Sequence, residues 1–427
     1  MPRYIVVLSM LLIALLIAVG CDDRGTNITR TDWGDLDQTA GIDPNRNHVF
    51  QPQLTLQIKN GTELLLGTAY LPAEAFPPTK PVPVLVLLAP EYGDKQYYFR
   101  AGLEQLMKEM TASGEIEPMV VYCIGNDPTF GGFWYGQSGP GGKYDDILGD
   151  SLIDFLNDFI PAIIDNPSKR GIGGIGQGAY GAFRAAIKHP GLYSSISVAD
   201  GPLDFDGPSG NGGLMTLFDS AIAEQVAHYT GTDPFDFKAN WDSSYTMPTS
   251  QMFVGGGFAF SPNDTAITFT REPQSDSLTI RLTITGKESI ADSTLVGGGD
   301  STTFIGNIIN NTSPPTMDFD FHLPFDADGD VYTPIWDLWM QNNLEDIHDA
   351  QGGRPLDGVN MWVASNPGAK WNYYEMTQSW ISFLQGNNYS VEEYEYGSFG
   401  DAPIQDDEYL YDLLRKMLKF HSDNFKD

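Results

Sequence analysis

The segment of this chain with the clearest chemical shape is Ile172-Gly173-Gly174-Ile175-Gly176-Gln177-Gly178-Ala179-Tyr180-Gly181-Ala182. An apolar strand runs into a tight glycine-rich bend, and a helix carrying Phe183, Ala186 and Ile187 follows. Gly-x-Ser-x-Gly in that setting stands a strained serine nucleophile at the carboxyl edge of a sheet. The outer glycines, Gly174 and Gly178, are present, but the central position is Gly176, which carries no nucleophile. The local pattern alone also admits a generic strand-to-helix turn or a phosphate-binding loop. Phosphate cradling is the weaker of these, because no Gly-x-Gly-x-x-Gly with a later acidic partner is present and no Lys-Ser/Thr follows.

No serine, threonine or cysteine occurs from Lys169 to Tyr193, so nothing beside the bend replaces the missing oxygen. Ser138 lies in a glycine-rich loop without a strand-to-helix setting and reads as a turn residue. His189 precedes Pro190 as a helix-end residue, and His228, His322, His348 and His421 fall in no catalytic context. Asp326-Ala327-Asp328-Gly329-Asp330 has the oxygen density that Ca²⁺ takes but lacks EF-hand spacing and its terminal glutamate, and it reads as a polar turn. No metal or cofactor is expected. Phe130, Phe133, Trp134 and Tyr135 sit among glycines. Together with Tyr92, Trp134 and Tyr135 are candidates to line a ligand cleft, and packing against the bend is the competing reading.

The elements that must hold this bend alternate. Leu54 to Ile58 and Leu64 to Leu71 flank Asn60-Gly61, a hairpin signal. Val82 to Leu88, Met119 to Cys123, Gly171 to Gly176, Ile196 to Val198, Val359 to Val363 and Val391 to Tyr396 read as inner strands. Between them lie helix faces marked by Leu103, Leu106, Met107 and Met110, then by Leu152, Leu156, Phe159 and Ile163, with helices also over Tyr373 to Leu384 and Asp406 to Phe420. Alternating strands and helices imply a mostly parallel sheet covered on both faces. Residues 264–313 break the rhythm: Thr265 to Arg271 and Leu278 to Thr285 alternate in steps of two, which predicts a β-rich insertion.

Several stretches, taken in order, resemble the esterase family that includes esterase D, the feruloyl esterases and the antigen 85 mycolyltransferases. Val82 to Leu88, Glu115 to Ile124, Phe133-Trp134-Tyr135, Tyr144-Asp145-Asp146, Phe258 to Asn263, Leu323 to Asp326 and Trp336 to Trp339 are similar to its pattern. The most specific match is Tyr180-Gly181-Ala182 with Lys188-His189-Pro190 and Leu192-Tyr193-Ser194-Ser195. The resemblance spans about Leu54 to Phe420 and implies an α/β-hydrolase fold with a mostly parallel central sheet. It also implies positions for the catalytic groups, and each is empty. The serine falls on Gly176, beside Gln177. The histidine leaving the first parallel strand falls on Ala89 or Pro90. The acid falls on Ala369 in Asn366-Pro367-Gly368-Ala369, and the triad histidine on Phe399 in Gly397-Ser398-Phe399-Gly400. Triad members act as a unit, so their loss leaves about 10³–10⁴ over water from oxyanion donors and binding.

Composition sets the remaining expectations. The chain has 427 residues, 41% of them hydrophobic, enough for a large core. With 24 Lys+Arg against 56 Asp+Glu, the net charge is −32. That charge excludes nucleic acid as a partner and reads as a solubility feature. Residues 1–20 read as an export signal with Arg3 at the positive end and a short apolar run. Ala18-Val19-Gly20-Cys21 resembles a bacterial lipobox, which predicts acylation of Cys21 and anchorage in a bilayer; a plain secretory signal is the rival. Residues 21–47 then read as a flexible tether and 48–427 as the folded domain. Cys123, in an apolar run, reads as a buried inert thiol.

The expectation is a lipid-anchored extracytoplasmic protein, a pseudoenzyme that binds a glycan, an ester or an envelope protein. The alternatives are an active carboxylic ester hydrolase with a nucleophile elsewhere, and a structural envelope protein.

Overall fold

A computed structural model of the chain describes residues 47–50, 53–58, 61–73, 81–126, 132, 134–138, 142–160, 163–208, 212–228, 248–262, 266–272, 278–285, 293–295, 302–305, 307–308, 317–318, 321–326, 328–397 and 407–425. Residues 1–46, which hold the expected export signal, Cys21 and all but the last residue of the expected tether, lie outside the described residues, as does Phe399.

Nine strands form the main sheet: β1 (His48–Phe50), β2 (Gln53–Ile58), β3 (Gly61–Leu71), β4 (Val84–Leu88), β5 (Val120–Ile124), β6 (Arg170–Ile175), β7 (Ser195–Ala199), β8 (Asn360–Ser365) and β9 (Val391–Glu395). Their order is β1-β3-β5-β4-β6-β7-β8-β9, with β2 also on β3. Contacts of β3 with β1, β2 and β5 are antiparallel. From β5 to β9 every contact is parallel. The hairpin expected around Asn60-Gly61 is the β2–β3 pair, with Ile58 opposite Gly61.

The pleat sends alternate residues of one strand into two separate cores. Val84, Val86 and Leu88 of β4 pack on one face with α3 (Gln177–Lys188) and α8 (Tyr373–Gly386). Leu85 and Leu87 pack on the other with α1 (Leu103–Ser113) and α9 (Asp407–Asn424). The predicted face of α1, Leu103, Leu106, Met107 and Met110, is buried there. Burial on both faces is why β4 and β5 read as unbroken apolar runs rather than alternating ones.

One expected helix is shorter than its periodicity. α2 (Leu152–Phe159) stops before Ile163, which instead bridges Val82. Pro161 explains the stop: its ring disfavours α geometry in the preceding residue, and Ile160 has φ −122° and ψ 88°.

Between β7 and β8 come α4 (Phe218–His228), α5 (Pro248–Phe260), α6 (Thr333–Met340) and α7 (Leu344–Gln351). Between α5 and α6 lies a separate four-stranded antiparallel sheet made of Ala266–Glu272, Leu278–Thr285, Ser293–Leu295 and Thr302–Ile305. The chain leaves for it at Pro262 and returns at Phe321, and these two residues form a β-bridge. Ser261 and His322 add two hydrogen bonds beside it, at 3.0 and 2.6 Å. Among the described residues no helix is long and apolar enough to cross a membrane.

Candidate functional site

Gly176 sits where β6 turns into α3, with φ 58° and ψ −127°. A side chain strains this backbone, and glycine adopts it freely. The flanking glycines meet a different demand. A Cβ on Gly178 would overlap the Leu88 carbonyl, and one on Gly174 would overlap the backbone of Gly178, so both allow close strand-to-helix packing. The bend therefore has the geometry that exposes a nucleophile at the sheet's carboxyl edge.

The space a nucleophile would take is filled from another loop. A Cβ built on Gly176 would overlap Oε2 of Glu91, three residues past the end of β4. Oε2 accepts a hydrogen bond from the Gln177 backbone N–H at 3.0 Å, and the Glu91 N–H also bonds to the carboxylate. In this type of elbow, the N–H after the nucleophile and one from the loop after the first parallel strand make the oxyanion hole. Here the first of these, the Gln177 N–H, is spent on the chain's own carboxylate.

Glu91 is only 7% exposed. Burial pushes its carboxyl up to about 7, against the pull of the hydrogen bonds from Gln177 and Glu91 N–H. The Gln177 side chain is fully buried, and its Oε1 accepts from Asn126 Nδ2 at 2.7 Å and Trp134 N at 3.3 Å, which ties the bend to β5.

A second acid lies along the same edge. Asp200 follows β7, has φ 42°, and is buried. Its Oδ1 accepts from Asn366 N at 2.7 Å, past β8, and its Oδ2 accepts from the Tyr396 hydroxyl, past β9. Burial raises Asp200 to about 7, with the Tyr396 and Asn366 hydrogen bonds opposing. The Tyr396 phenol is raised in turn by burial and by the Asp200 charge. An acid at one strand end is thus joined to a phenol just beyond the last strand. A phenol hydrogen-bonded to a carboxylate lacks the second ring nitrogen with which imidazole relays a proton.

The residues singled out from sequence distribute as follows. Gly174, Gly176, Gln177 and Gly178 form the bend. Ala369 closes a small turn through its N–H to the Asn366 carbonyl at 2.8 Å and brings no acid. Ala89 and Pro90 lead into Glu91. Trp134 and Tyr135 are fully buried. Trp134 is ringed by Tyr180, Phe205, Phe260 and Trp339, and its indole N–H reaches the Met252 carbonyl at 3.2 Å. The Tyr135 hydroxyl donates to the Ala89 carbonyl at 2.8 Å. Both are buried beside the bend rather than lining an open cleft, while Phe130 and Phe133 lie outside the described residues. Tyr92 remains partly exposed, with φ 60° and its hydroxyl bonded to the Pro248 carbonyl at 2.8 Å.

Three histidines are engaged elsewhere. His189 Nε2 donates to the Asp145 carbonyl at 2.6 Å. His348 lies between Asp349 and Tyr389. His421 of α9 does contact two serines, Ser195 at 2.8 Å and Ser197 at 2.7 Å. That trio is fully buried along β7 and leaves no room for a substrate. Asp326 Oδ1 accepts from the amides of Asp328 and Asp330, a self-closed polar turn. Burial pushes the Cys123 thiol up, which keeps it inert.

Sequence reading missed Glu91, Asp200 and Tyr396. The available signal was an acidic residue two or three positions past the end of each of two predicted strands.

The strand order, antiparallel contacts around β3 followed by a crossed pair and a parallel run, together with the elbow after β6, decides the architecture. The fold is that of an α/β-hydrolase. No family model and no curated protein matches the chain. Solved structures similar to it include a ferulic acid esterase, at 12% identity over 89% of this chain and 99% of that one, with a TM-score of 0.49. An S-formylglutathione hydrolase from Staphylococcus aureus is similar at 12% identity over 88% and 99%, with a TM-score of 0.44. MPT51 from Mycobacterium tuberculosis is similar at 11% identity over 88% and 98%, with a TM-score of 0.41.

Proposed function

We propose that this α/β-hydrolase-fold chain is a pseudoenzyme, held to a bacterial membrane outside the cytoplasm by acylated Cys21, which binds a glycan, an ester or an envelope protein without hydrolysing it. One observation carries the reading: Glu91 fills the place of the nucleophile's side chain and engages the Gln177 N–H that would stabilise an oxyanion. Hydrolysis by this fold needs an activated oxygen, a base and free oxyanion donors. At this bend the first is replaced by glycine and a donor is already bonded. A carboxylate nucleophile at Glu91 would compete with the substrate carbonyl for that same N–H.

The test is turnover of p-nitrophenyl acetate and butyrate by the purified protein. Rates equal to a heat-killed control support the reading, and rates well above it abolish it. Anchorage is read separately: palmitate labelling in a bacterial host should be lost in Cys21→Ala, and equal labelling of both proteins would remove the lipid anchor.

A further inference from the structure

Among the described residues seven non-glycine residues have positive φ, and six of them lie at the carboxyl edge of the sheet: Tyr92 past β4, Trp134 and Tyr135 beside the bend, Asp200 past β7, and Trp371 and Asn372 past β8. The seventh, Asn388, precedes β9 at the opposite edge. Left-handed backbone is uncommon for such residues, costs free energy at each, and collects where a ligand is held. Trp134, Tyr135 and Asp200 are buried. Tyr92, Trp371 and Asn372 are partly exposed, so a ligand using this edge meets these three.

Two of the rings reach one place from different loops. The Tyr92 hydroxyl donates to the Pro248 carbonyl at 2.8 Å, and the Trp371 indole N–H donates to the Thr249 hydroxyl at 3.2 Å. Those acceptors are consecutive residues at the start of α5. That start is fixed in turn, because Glu224 of α4 accepts from the Thr249 and Ser250 amides at 3.1 and 2.8 Å. Asn372 Nδ2 donates to the Thr216 hydroxyl at 2.6 Å. The Tyr373 ring lies 5.6 Å from that of Trp371, and its buried phenol feels the charges of both Glu91 and Tyr92, which sets the group beside the bend.

The chemistry left at this place selects a ligand. With its N–H committed to Thr249, Trp371 offers a ring face, and the negative face of a π-system attracts polarised C–H groups. An acyl chain needs an enclosed apolar slot, but Glu91 fills the space above Gly176, and Trp134 and Tyr135 are packed away. An anionic ligand meets a chain of net charge −32. A neutral sugar ring meets neither obstacle: its flat C–H face stacks on the indole while its hydroxyls stay in water. We propose that Trp371, with Tyr92 beside it, is a stacking platform for a sugar ring of a neutral glycan chain, held rigid at the carboxyl edge. The inference rests on reading the protein as a binder and narrows its ligand to a glycan; loss of the platform would leave the ester-turnover result standing.

The measurement is affinity electrophoresis of the purified protein in gels carrying arabinoxylan, mixed-linkage β-glucan or galactomannan. At least one should retard the natural protein. Trp371→Phe, which keeps a ring and loses the N–H, should bind within about threefold of it, and Trp371→Ala about ten-fold or more weakly. Tyr411→Ala, which removes a partly exposed ring packed on the opposite core, should bind as the natural protein does. Hydroxyl-radical footprinting of the natural protein gives an answer that needs no variant: the retarding glycan should lower oxidation of Trp371 and Tyr92 relative to Tyr411. No retardation by any of the three glycans, undiminished binding by Trp371→Ala, or unchanged relative oxidation of Trp371 overturns the proposal.

Discussion

Gly176 and Glu91 divide one place between them: the main chain of the first makes the bend, and the side chain of the second fills the space above it, 3.0 Å from the Gln177 N–H. Neither residue suits its role without the other. A side chain at 176 would be both strained and obstructed, and a shorter residue at 91 would leave a buried amide without its acceptor.

Gly176→Ser should therefore destabilise, by about 1–3 kcal/mol, from overpacking and positive-φ strain. It should add no measurable esterase activity. Chemical denaturation of the single variants and of Gly176→Ser/Glu91→Ala forms a double-mutant cycle, in which removing the carboxylate recovers part of the loss. Strict additivity would show that the two side chains do not compete for space.

Glu91 also gives stability a definite pH slope. Its folded value of about 7 lies above the usual 4.5, so the unfolded chain loses this proton first. Stability is full below about pH 4.5 and falls as pH rises through 7, by on the order of 3 kcal/mol. Asp200 acts in the same direction. Thermal melts of Glu91→Gln should show a gain over the natural protein that is larger at pH 8 than at pH 5. A gain independent of pH would place the cost elsewhere.

His421 works at the acid end. Desolvation lowers it to about 3 from 6.5, so it stays neutral in the fold, one nitrogen donating and the other accepting between Ser195 and Ser197. The unfolded chain takes up its proton below about pH 6.5, and stability is lost as pH falls from there towards 3, by about 2 kcal/mol at pH 5. His421→Phe should remove this acid-side loss, yet at pH 7 it should cost about 1–3 kcal/mol for each serine hydroxyl left without a partner. Retention of the acid slope in that variant would rule His421 out as its source.

Two glycines should respond oppositely to a methyl group. In Gly178→Ala the new Cβ meets the Leu88 backbone carbonyl, which cannot yield without moving β4, so the loss should be at least about 1–3 kcal/mol. At Gly386, near the end of α8, nothing lies within 4 Å, and Gly386→Ala should stabilise by about 0.4–1 kcal/mol through the unfolded chain. Denaturant midpoints for the pair check both signs.

Much of the fold was legible because burial writes itself into periodicity. The unbroken apolar runs of β4 and β5, the face of α1 and the strand–bend–helix around Gly176 follow from spacing alone. The α8 and α9 expectations differ from the observed helices by a few residues at their ends, where fraying and capping decide. The candidate site was half legible. Absences at 176 and 369 can be read from a chain, but the substitute cannot. Glu91 and Gln177 are 86 positions apart, and Asp200 and Tyr396 are 196 apart. A single acid at a strand end has no period to announce it. The Trp134–Tyr135 run was ambiguous because aromatic side chains among glycines suit a cleft and a core equally, and only the enclosing rings distinguish them.

The bridged pair Pro262 and Phe321 makes the β-rich excursion a side branch of the chain. Its two ends are clasped at a single doorway, so whatever is threaded between them can grow, shrink or be exchanged while α5 and α6 keep their footing. Evolution and the experimenter alike can rewrite that branch without disturbing the ground on which Gly176 and Glu91 meet.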